Sequence, residues 1–264
     1  MPILFETITE HNNHKLAASI DSTLLTVDPA SSEKTQHHQI ETLCKSAIHH
    51  QFFAVCVRPV HCSLAKKIIQ NSLVKLATVI GFPEKKMSLQ SAASQIGCIP
   101  LSKKMAEVEA AMGMGVHELD WVLHQSDLKE ALSNKKNEAA NSSEFQAIQA
   151  LSEKIFIKVI IETDLLSVPE IIKVTQWCSD VGAGMVKTST GMIEQGQGAT
   201  SENIRLIAKT LAKLNTTTKI KASGGIKTRD QALLFLNAGA SRLGTSNAAD
   251  LIQPVEAEKP LQET

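Results

Sequence analysis

Eight short apolar, β-branched runs recur along the 264-residue chain, separated by stretches long enough for helices. The runs are AASIDSTLL (17–25), FFAVCVRP (52–59), KLATVIGFP (75–83), HELDWVLH (117–124), KIFIKVIIE (154–162), GMVKTST (184–190), KIKASGG (219–225) and SRLGTS (241–246). Between them lie helix-length segments such as HHQIETLCKSAIHH, VPEIIKVTQWCSDV and SENIRLIAKTLAKL. Expected helix starts are Ser201 followed by Glu202, Thr228 before Arg229 and Asp230, and Pro169 as an early helical residue. Eight strand–helix units in about 250 residues are the count and size of an α/β TIM (β/α)8 barrel. A doubly wound sheet usually has fewer strands and needs a switch point, so the barrel is preferred. We expect residues 1–264 to form one barrel domain, with a short N-terminal extension and a polar C-terminal tail from about 253. Two segments interrupt the rhythm: a long connection after the third strand (84–103) and a polar stretch, SNKKNEAANSSE, at 133–144.

The composition narrows the function classes. Lys+Arg and Asp+Glu both number 27, so no charge excess points to nucleic acid or an anionic membrane. Aromatic residues are 3% of the chain, with no Tyr, which argues against base-stacking platforms. Five cysteines, an odd number without a CxxC pair, fit a reducing compartment better than a disulfide framework or a zinc ribbon. The opening MPILFETITEHNNHK is read as neither a signal peptide nor an anchor, and no apolar run reaches the ~18 residues of a spanning helix. The expectation is a cytoplasmic enzyme or binding protein.

Strand parity exposes an unusual interior. Barrel strands turn alternate side chains out to the helices and in to the axis, and the outward set must be apolar. With Leu119, Trp121 and Leu123 outward, Glu118, Asp120, Val122 and His124 face in. With Ile155, Ile157, Val159 and Ile161 outward, Phe156, Lys158, Ile160 and Glu162 face in. Val186 outward turns Met185, Lys187 and Ser189 inward, and Ile220 with Ala222 outward turns Lys219, Lys221 and Ser223 inward. Neighbouring strands therefore aim Asp120, Lys158, Lys187 and Lys221 at one interior. Two readings are open. An ion-pair network fills the barrel, with Glu118 and Glu162 supplying the missing charge, or one lysine is held neutral. Two ammonium groups ~4 Å apart at an effective dielectric of ~20 repel by about 4 kcal/mol, which corresponds to roughly three pKa units. A lysine so placed is a nucleophilic amine near pH 7, able to attack a carbonyl and form a Schiff base. Ser223-Gly224-Gly225 and Gly244-Thr245-Ser246 follow the seventh and eighth strands, where barrels often bind phosphate.

Taken together, KVIIET (158–163), VKTSTG (186–191), KASGGI (221–226), ELD (118–120), DSTLL (21–25) and GFP (81–83) make the chain resemble the deoxyribose-phosphate aldolases. These motifs run in order over about residues 15 to 250. The resemblance implies a class I aldolase that reversibly cleaves 2-deoxy-D-ribose 5-phosphate to D-glyceraldehyde 3-phosphate and acetaldehyde, with no metal or cofactor, in deoxynucleoside breakdown. It implies that Lys187 forms the Schiff base, and that Lys221 depresses the Lys187 pKa and shares a proton relay with Asp120. By the same resemblance, Asp21 and Thr23 bond substrate hydroxyls, Lys158 gives electrostatic support, and Gly191, Gly224, Gly225, Gly244, Thr245 and Ser246 hold the phosphate. A homodimer is what the family suggests. The chain departs from the family in its longer 84–103 segment, in Arg58 where Asn is common, and in having no C-terminal tyrosine.

Other residues are read as structural. His37-His38 and His49-His50 are adjacent pairs that point to different helix faces, and His11 and His14 have no third ligand in sight. His124 is expected at a polar rim, and Cys56 as a small core residue. Two alternatives accompany the aldolase reading: a sibling Schiff-base aldolase or thiolase on another phosphorylated carbonyl compound, and a phosphosugar-binding barrel without catalysis.

Overall fold

The protein is described by a computed structural model over residues 10–26, 30–133 and 142–253. Parallel strands β1 (Ile20–Leu24), β2 (Ala54–Val57), β3 (Lys75–Ile80), β4 (Glu118–Val122), β5 (Phe156–Ile160), β6 (Met185–Lys187), β7 (Lys219–Ser223) and β8 (Arg242–Thr245) close into a barrel in sequence order. Asp120 pairs in register with Lys158, Lys187 with Lys221, and Asp21 with Gly244 across the closing seam. The strands are shorter than the apolar runs by up to three residues at an end. The excess residues continue the alternation as loops, and some still bond across the seams: Leu123 N–H donates to Ile160 O and Thr188 N–H to Lys221 O.

Around the barrel lie α1 (Glu10–Ala17), α2 (Glu33–His50), α3 (Cys62–Ile69), α4 (Leu89–Gln95), α5 (Leu101–Gly113), α6 (Gln125–Ser133), α7 (Ser143–Ser152), α8 (Val168–Asp180), α9 (Ser201–Leu214), α10 (Arg229–Asn237) and α11 (Ala248–Ile252). Thr228 caps α10 in a reciprocal box with Gln231, and Ser167 with Glu170 does the same for α8, whose first turn holds Pro169. The α9 cap is Thr200 rather than Ser201. Thr200 is still extended and its hydroxyl accepts the Asn203 N–H, whereas Ser201 is already helical. No helix among the described residues is long and apolar enough to cross a membrane.

Parity holds where the strands are regular. Leu119, Trp121, Ile157, Val159, Val186, Ile220 and Ala222 join one apolar core between barrel and helices. It fails at strand ends. His124 lies past β4, and its ring sits 3.1 Å from the Asp127 carboxylate at the start of α6. Phe156 and Lys219 open their strands at the bottom of the barrel and are exposed. The long 84–103 segment contains α4, whose Ala92, followed by Ile96, packs with Phe82, Val122, Ile160, Met192 and Ile193 in a second apolar cluster. Of the polar 133–144 stretch, Ser133 ends α6 and Ser142 precedes α7. Residues 134–141, the N-terminal extension to residue 9 and the tail from 254 lie outside the described residues.

Lys104 of α5 is fully buried. Its ammonium donates to Val122 O at 2.7 Å and pairs with Glu144 of α7, which also accepts from Trp121 Nε1 at 2.8 Å and His124 N–H at 2.9 Å. One carboxylate thus ties α5 and α7 to the end of β4. Lys104→Met leaves it without its cation and should destabilise the protein by about 3–5 kcal/mol in urea unfolding. Lys104→Met with Glu144→Gln should recover most of that loss; no difference between single and double variants would refute the pairing.

Candidate active site

Inward residues from six strands meet in one buried cluster. Lys158 of β5 reaches Glu118 at 2.7 Å, Asp120 at 2.8 Å and Asp21 at 3.2 Å. Lys221 of β7 reaches Asp21 at 2.5 Å and Asp120 at 2.9 Å. Arg242 of β8 reaches Asp21 at 2.9 Å and Glu118 at 3.3 Å, and its guanidinium lies 3.2 Å from the centre of the Phe53 ring. Lys187 of β6 has a single carboxylate partner among the described residues, Asp120 Oδ2 at 2.7 Å. Four cations, Lys158, Lys187, Lys221 and Arg242, therefore face three carboxylates, Asp21, Glu118 and Asp120.

Lys187 is also the floor of a cavity of ≈ 410 Å³ that opens at the C-terminal ends of the strands. Thr23, Gly191, Gly224, Gly225, Thr245 and Ser246 line it, as does Gly244. Gly224 and Gly225 have φ of +93° and +78°, a backbone that side-chain-bearing residues rarely adopt. Gly244 has a further reason to lack a side chain: a Cβ there would come within 2.8 Å of the Lys221 stem. Thr188 and Ser223 lock the β6 and β7 ends together, with Thr188 Oγ1 donating to Ser223 O at 2.8 Å and Ser223 N–H donating back at 3.0 Å.

The structure brings Asp120, Lys187 and Lys221 into contact and corrects several expectations around them. Asp21 does not reach the cavity. It is fully buried, with both oxygens bonded to cations, and the next inward residue of β1, Thr23, lines the wall instead. Lys158 is likewise sealed within the network. Glu118 supplies counter-charge as expected, but Glu162 does not. Its Oε2 accepts Thr190 N–H at 3.0 Å and Thr190 Oγ1 at 2.5 Å, and its buried Oε1 has no hydrogen-bond partner among the described residues. Arg242 escaped the sequence reading, although parity marks it, since Leu243 faces outward. Cys56 is buried 4.0 Å from Asp120, and burial pushes its thiol up to about 12. Arg58 braces the mouth: its guanidinium donates to Leu25 O at 2.8 Å and Pro83 O at 2.5 Å.

A model of the DeoC/LacD family aldolases matches residues 15–245. The chain belongs to this family. It is 39% identical over 234 residues to the deoxyribose-phosphate aldolase of Mycoplasma pneumoniae, covering 89% of this chain and 92% of that one. It is 38% identical over 246 residues to the deoxyribose-phosphate aldolase of Thermosynechococcus vestitus, covering 93% of this chain and 100% of that one. Among solved structures, the tetrameric deoxyribose phosphate aldolase from Aeropyrum pernix superposes with a TM-score of 0.71 at 26% identity, over 91% of this chain and 90% of that one.

Electrostatics separate the three lysines of this aldolase-family barrel. Burial alone disfavours every one of the charges. For Lys158 it is outweighed by Asp120, Asp21 and Glu118, which hold the ammonium well above the usual lysine range. Asp120 and Asp21 also keep Lys221 above that range. For Lys187 burial prevails, with Lys221 repelling and Asp120 opposing, so its pKa is lowered. Asp120 is held well below the ordinary carboxylate value: burial works against this, but Lys158, Lys187 and Lys221 outweigh it.

Glu162 behaves in the opposite sense. Burial pushes its carboxyl up from 4.5 to about 7, against the two Thr190 hydrogen bonds. The folded state then binds more protons than the unfolded chain between those values, so stability falls as pH rises through that window. The penalty, about 3 kcal/mol, is fully present above about pH 7 and absent below about pH 4.5. Glu162→Gln keeps an acceptor for Thr190 without the charge, and should be more stable than the wild type by about 1–3 kcal/mol at pH 8. That advantage should vanish toward pH 4.5; a difference independent of pH would show that Glu162 ionises normally.

Proposed function

We propose that this protein is a deoxyribose-phosphate aldolase, reversibly cleaving 2-deoxy-D-ribose 5-phosphate to D-glyceraldehyde 3-phosphate and acetaldehyde through a Schiff base on Lys187. The observation that carries the reading is the standing of Lys187. It is the one cation of the network that both borders the cavity and has its pKa lowered. A deprotonated amine at that point can attack the C1 carbonyl of the open-chain sugar, and loss of water gives an imine whose protonated form withdraws electrons. The C2–C3 bond then breaks, the pair passing toward the iminium nitrogen as the C3 hydroxyl loses its proton. Glyceraldehyde 3-phosphate leaves, and the enamine on Lys187 is protonated at C2 and hydrolysed to acetaldehyde. Asp120, 2.7 Å from the Lys187 nitrogen and 2.9 Å from that of Lys221, is suited to pass these protons. Lys158 and Lys221 keep Asp120 ionised between turnovers.

On this reading Thr23 bonds a substrate hydroxyl, and Gly191, Gly224, Gly225, Gly244, Thr245 and Ser246 surround the 5-phosphate. Residues 1–264 act as one domain in the cytoplasm, as a homodimer engaged in deoxynucleoside breakdown. Family kinship carries these assignments, together with the absence of any requirement for a metal or cofactor.

Borohydride reduction in the presence of acetaldehyde, followed by peptide mass spectrometry, tests the nucleophile. A reduced two-carbon adduct should appear on the peptide holding Lys187 and be missing from Lys187→Ala, whose cleavage activity should fall at least ~10³-fold, an order set by loss of covalent catalysis. An unmodified wild type would sink the aldolase reading. An adduct without coupling of acetaldehyde to glyceraldehyde 3-phosphate would redirect it to a related carbonyl substrate.

A further inference from the structure

The mechanism makes no use of the loop between β3 and α4, although that loop forms part of the cavity wall. Its Lys86 lines the cavity, as does Lys227 from the loop after β7. Both are exposed, and among the described residues neither has a carboxylate within 4.0 Å of its ammonium. The acidic side chain on the wall, Asp164, is occupied with the backbone: its oxygens accept Gln197 N–H at 3.2 Å and Gly198 N–H at 2.9 Å. The mouth of the cavity is therefore cationic, with one lysine contributed by the β3–α4 loop and one by the loop after β7.

Lys86 owes its location to a fixed backbone. Met87 N–H donates to Met192 O at 3.0 Å and Glu194 N–H donates to Met87 O at 2.8 Å, a parallel bridge between Met87 and Ile193. Extended neighbours point to opposite sides. Met87 turns into the apolar cluster at the barrel mouth, and Lys86 turns to the cavity. The loop is held at both ends, by Arg58 donating to Phe82 O and Pro83 O, and by Ser88, whose hydroxyl caps α4. The backbone fixes where the Lys86 stem starts, so its ammonium ranges over the cavity mouth.

We propose that Lys86 is a specificity-determining residue: from the β3–α4 loop it joins Lys227 of the loop after β7 in gripping the phosphate of the substrate, so that the β3–α4 loop selects phosphorylated over unphosphorylated sugars. The inference rests on the aldolase reading for its substrate, but the anion site itself does not. Because both ammonium groups are exposed and screened within a Debye length of about 8 Å at physiological salt, the effect is one of selection and not of chemistry.

Two measurements on purified wild type, Lys86→Gln, Lys86→Arg and Lys85→Gln test it. The first is the ratio of kcat/KM for 2-deoxy-D-ribose 5-phosphate to that for 2-deoxy-D-ribose. The second is calorimetric binding of sulfate, an oxyanion that does not titrate near neutral pH and needs no turnover. Lys86→Gln should lower the ratio five- to tenfold and weaken sulfate binding by at least threefold. Lys86→Arg should restore both, and Lys85→Gln, one residue from the cavity wall, should change neither. A ratio and a sulfate affinity unchanged in Lys86→Gln would overturn the assignment, as would an equal loss in Lys85→Gln. A wild type that cleaves neither sugar, yet loses sulfate affinity with Lys86→Gln, would overturn the aldolase reading and leave the anion site standing.

Discussion

Everything at the centre of this barrel follows from an unequal number of charges. Three carboxylates cannot neutralise four cations, so one positive charge is in excess, and the geometry decides where the excess is felt. Lys158 touches three carboxylates, Lys221 and Arg242 two each, and Lys187 one that it shares. The least-supported ammonium is the one that gives up its proton most readily, and it is the one at the cavity floor. A lysine of lowered pKa and an ion-pair network are therefore the same arrangement, although from the sequence they looked like alternatives.

Such a network is a poor way to stabilise a barrel. Desolvating two charges costs several kcal/mol per ion, and well-packed apolar residues in their place are often neutral or stabilising. Here the enclosure is close. Phe53 stacks on Arg242 below, and the cluster of Phe82, Ile96, Val122, Ile160 and Met192 closes part of the barrel mouth beside the cavity. Excluding water strengthens every interaction inside, including the repulsion between Lys221 and Lys187. The buried Glu162 carboxyl, with one oxygen unpartnered among the described residues, is a second polar group held at a thermodynamic loss, bonded to Thr190 of the cavity wall. Both losses sit within reach of one site and the apolar core around the outside of the barrel offsets them.

The architecture and the central trio were legible because they depend on period-two alternation, which a strand displays in its sequence. Outward Leu119, Trp121, Val159 and Val186 left no choice about where Asp120, Lys158 and Lys187 point. The same logic reaches Arg242, although SRLGTS is too short a run to display its alternation beside its glycine and hydroxyls. Alternation stops informing where strands stop: His124, past the end of β4, sits at the polar rim beside Asp127, whereas Glu162 leaves the charge network because its φ of +56° breaks the pleat. The inwardness of Asp21 was readable but its depth was not. Depth depends on how far each strand is staggered around the barrel. The partnership between Met87 and Ile193 joins residues over a hundred positions apart by backbone alone, and side-chain pattern cannot encode it.

The charge count also bears on how Asp120 could carry protons on the proposed route. Lys158 and Lys221 hold it ionised, and Lys187 adds to them whenever its nitrogen is protonated, so in that state Asp120 is a weak base. That weakness is greatest while Lys187 is positive. Whenever Lys187 is a free amine, a carbinolamine or an enamine, the network balances at three charges of each sign. Asp120 then loses one of the cations that depress it, and its affinity for a proton rises. The protonated imine restores the earlier state and pushes the proton off again. Basicity at Asp120 thus rises and falls with the charge on a nitrogen 2.7 Å away, in step with the stages that need a proton stored and returned. Lys158 and Lys221, whose own protons are held by several carboxylates, stay charged throughout and keep the swing within bounds.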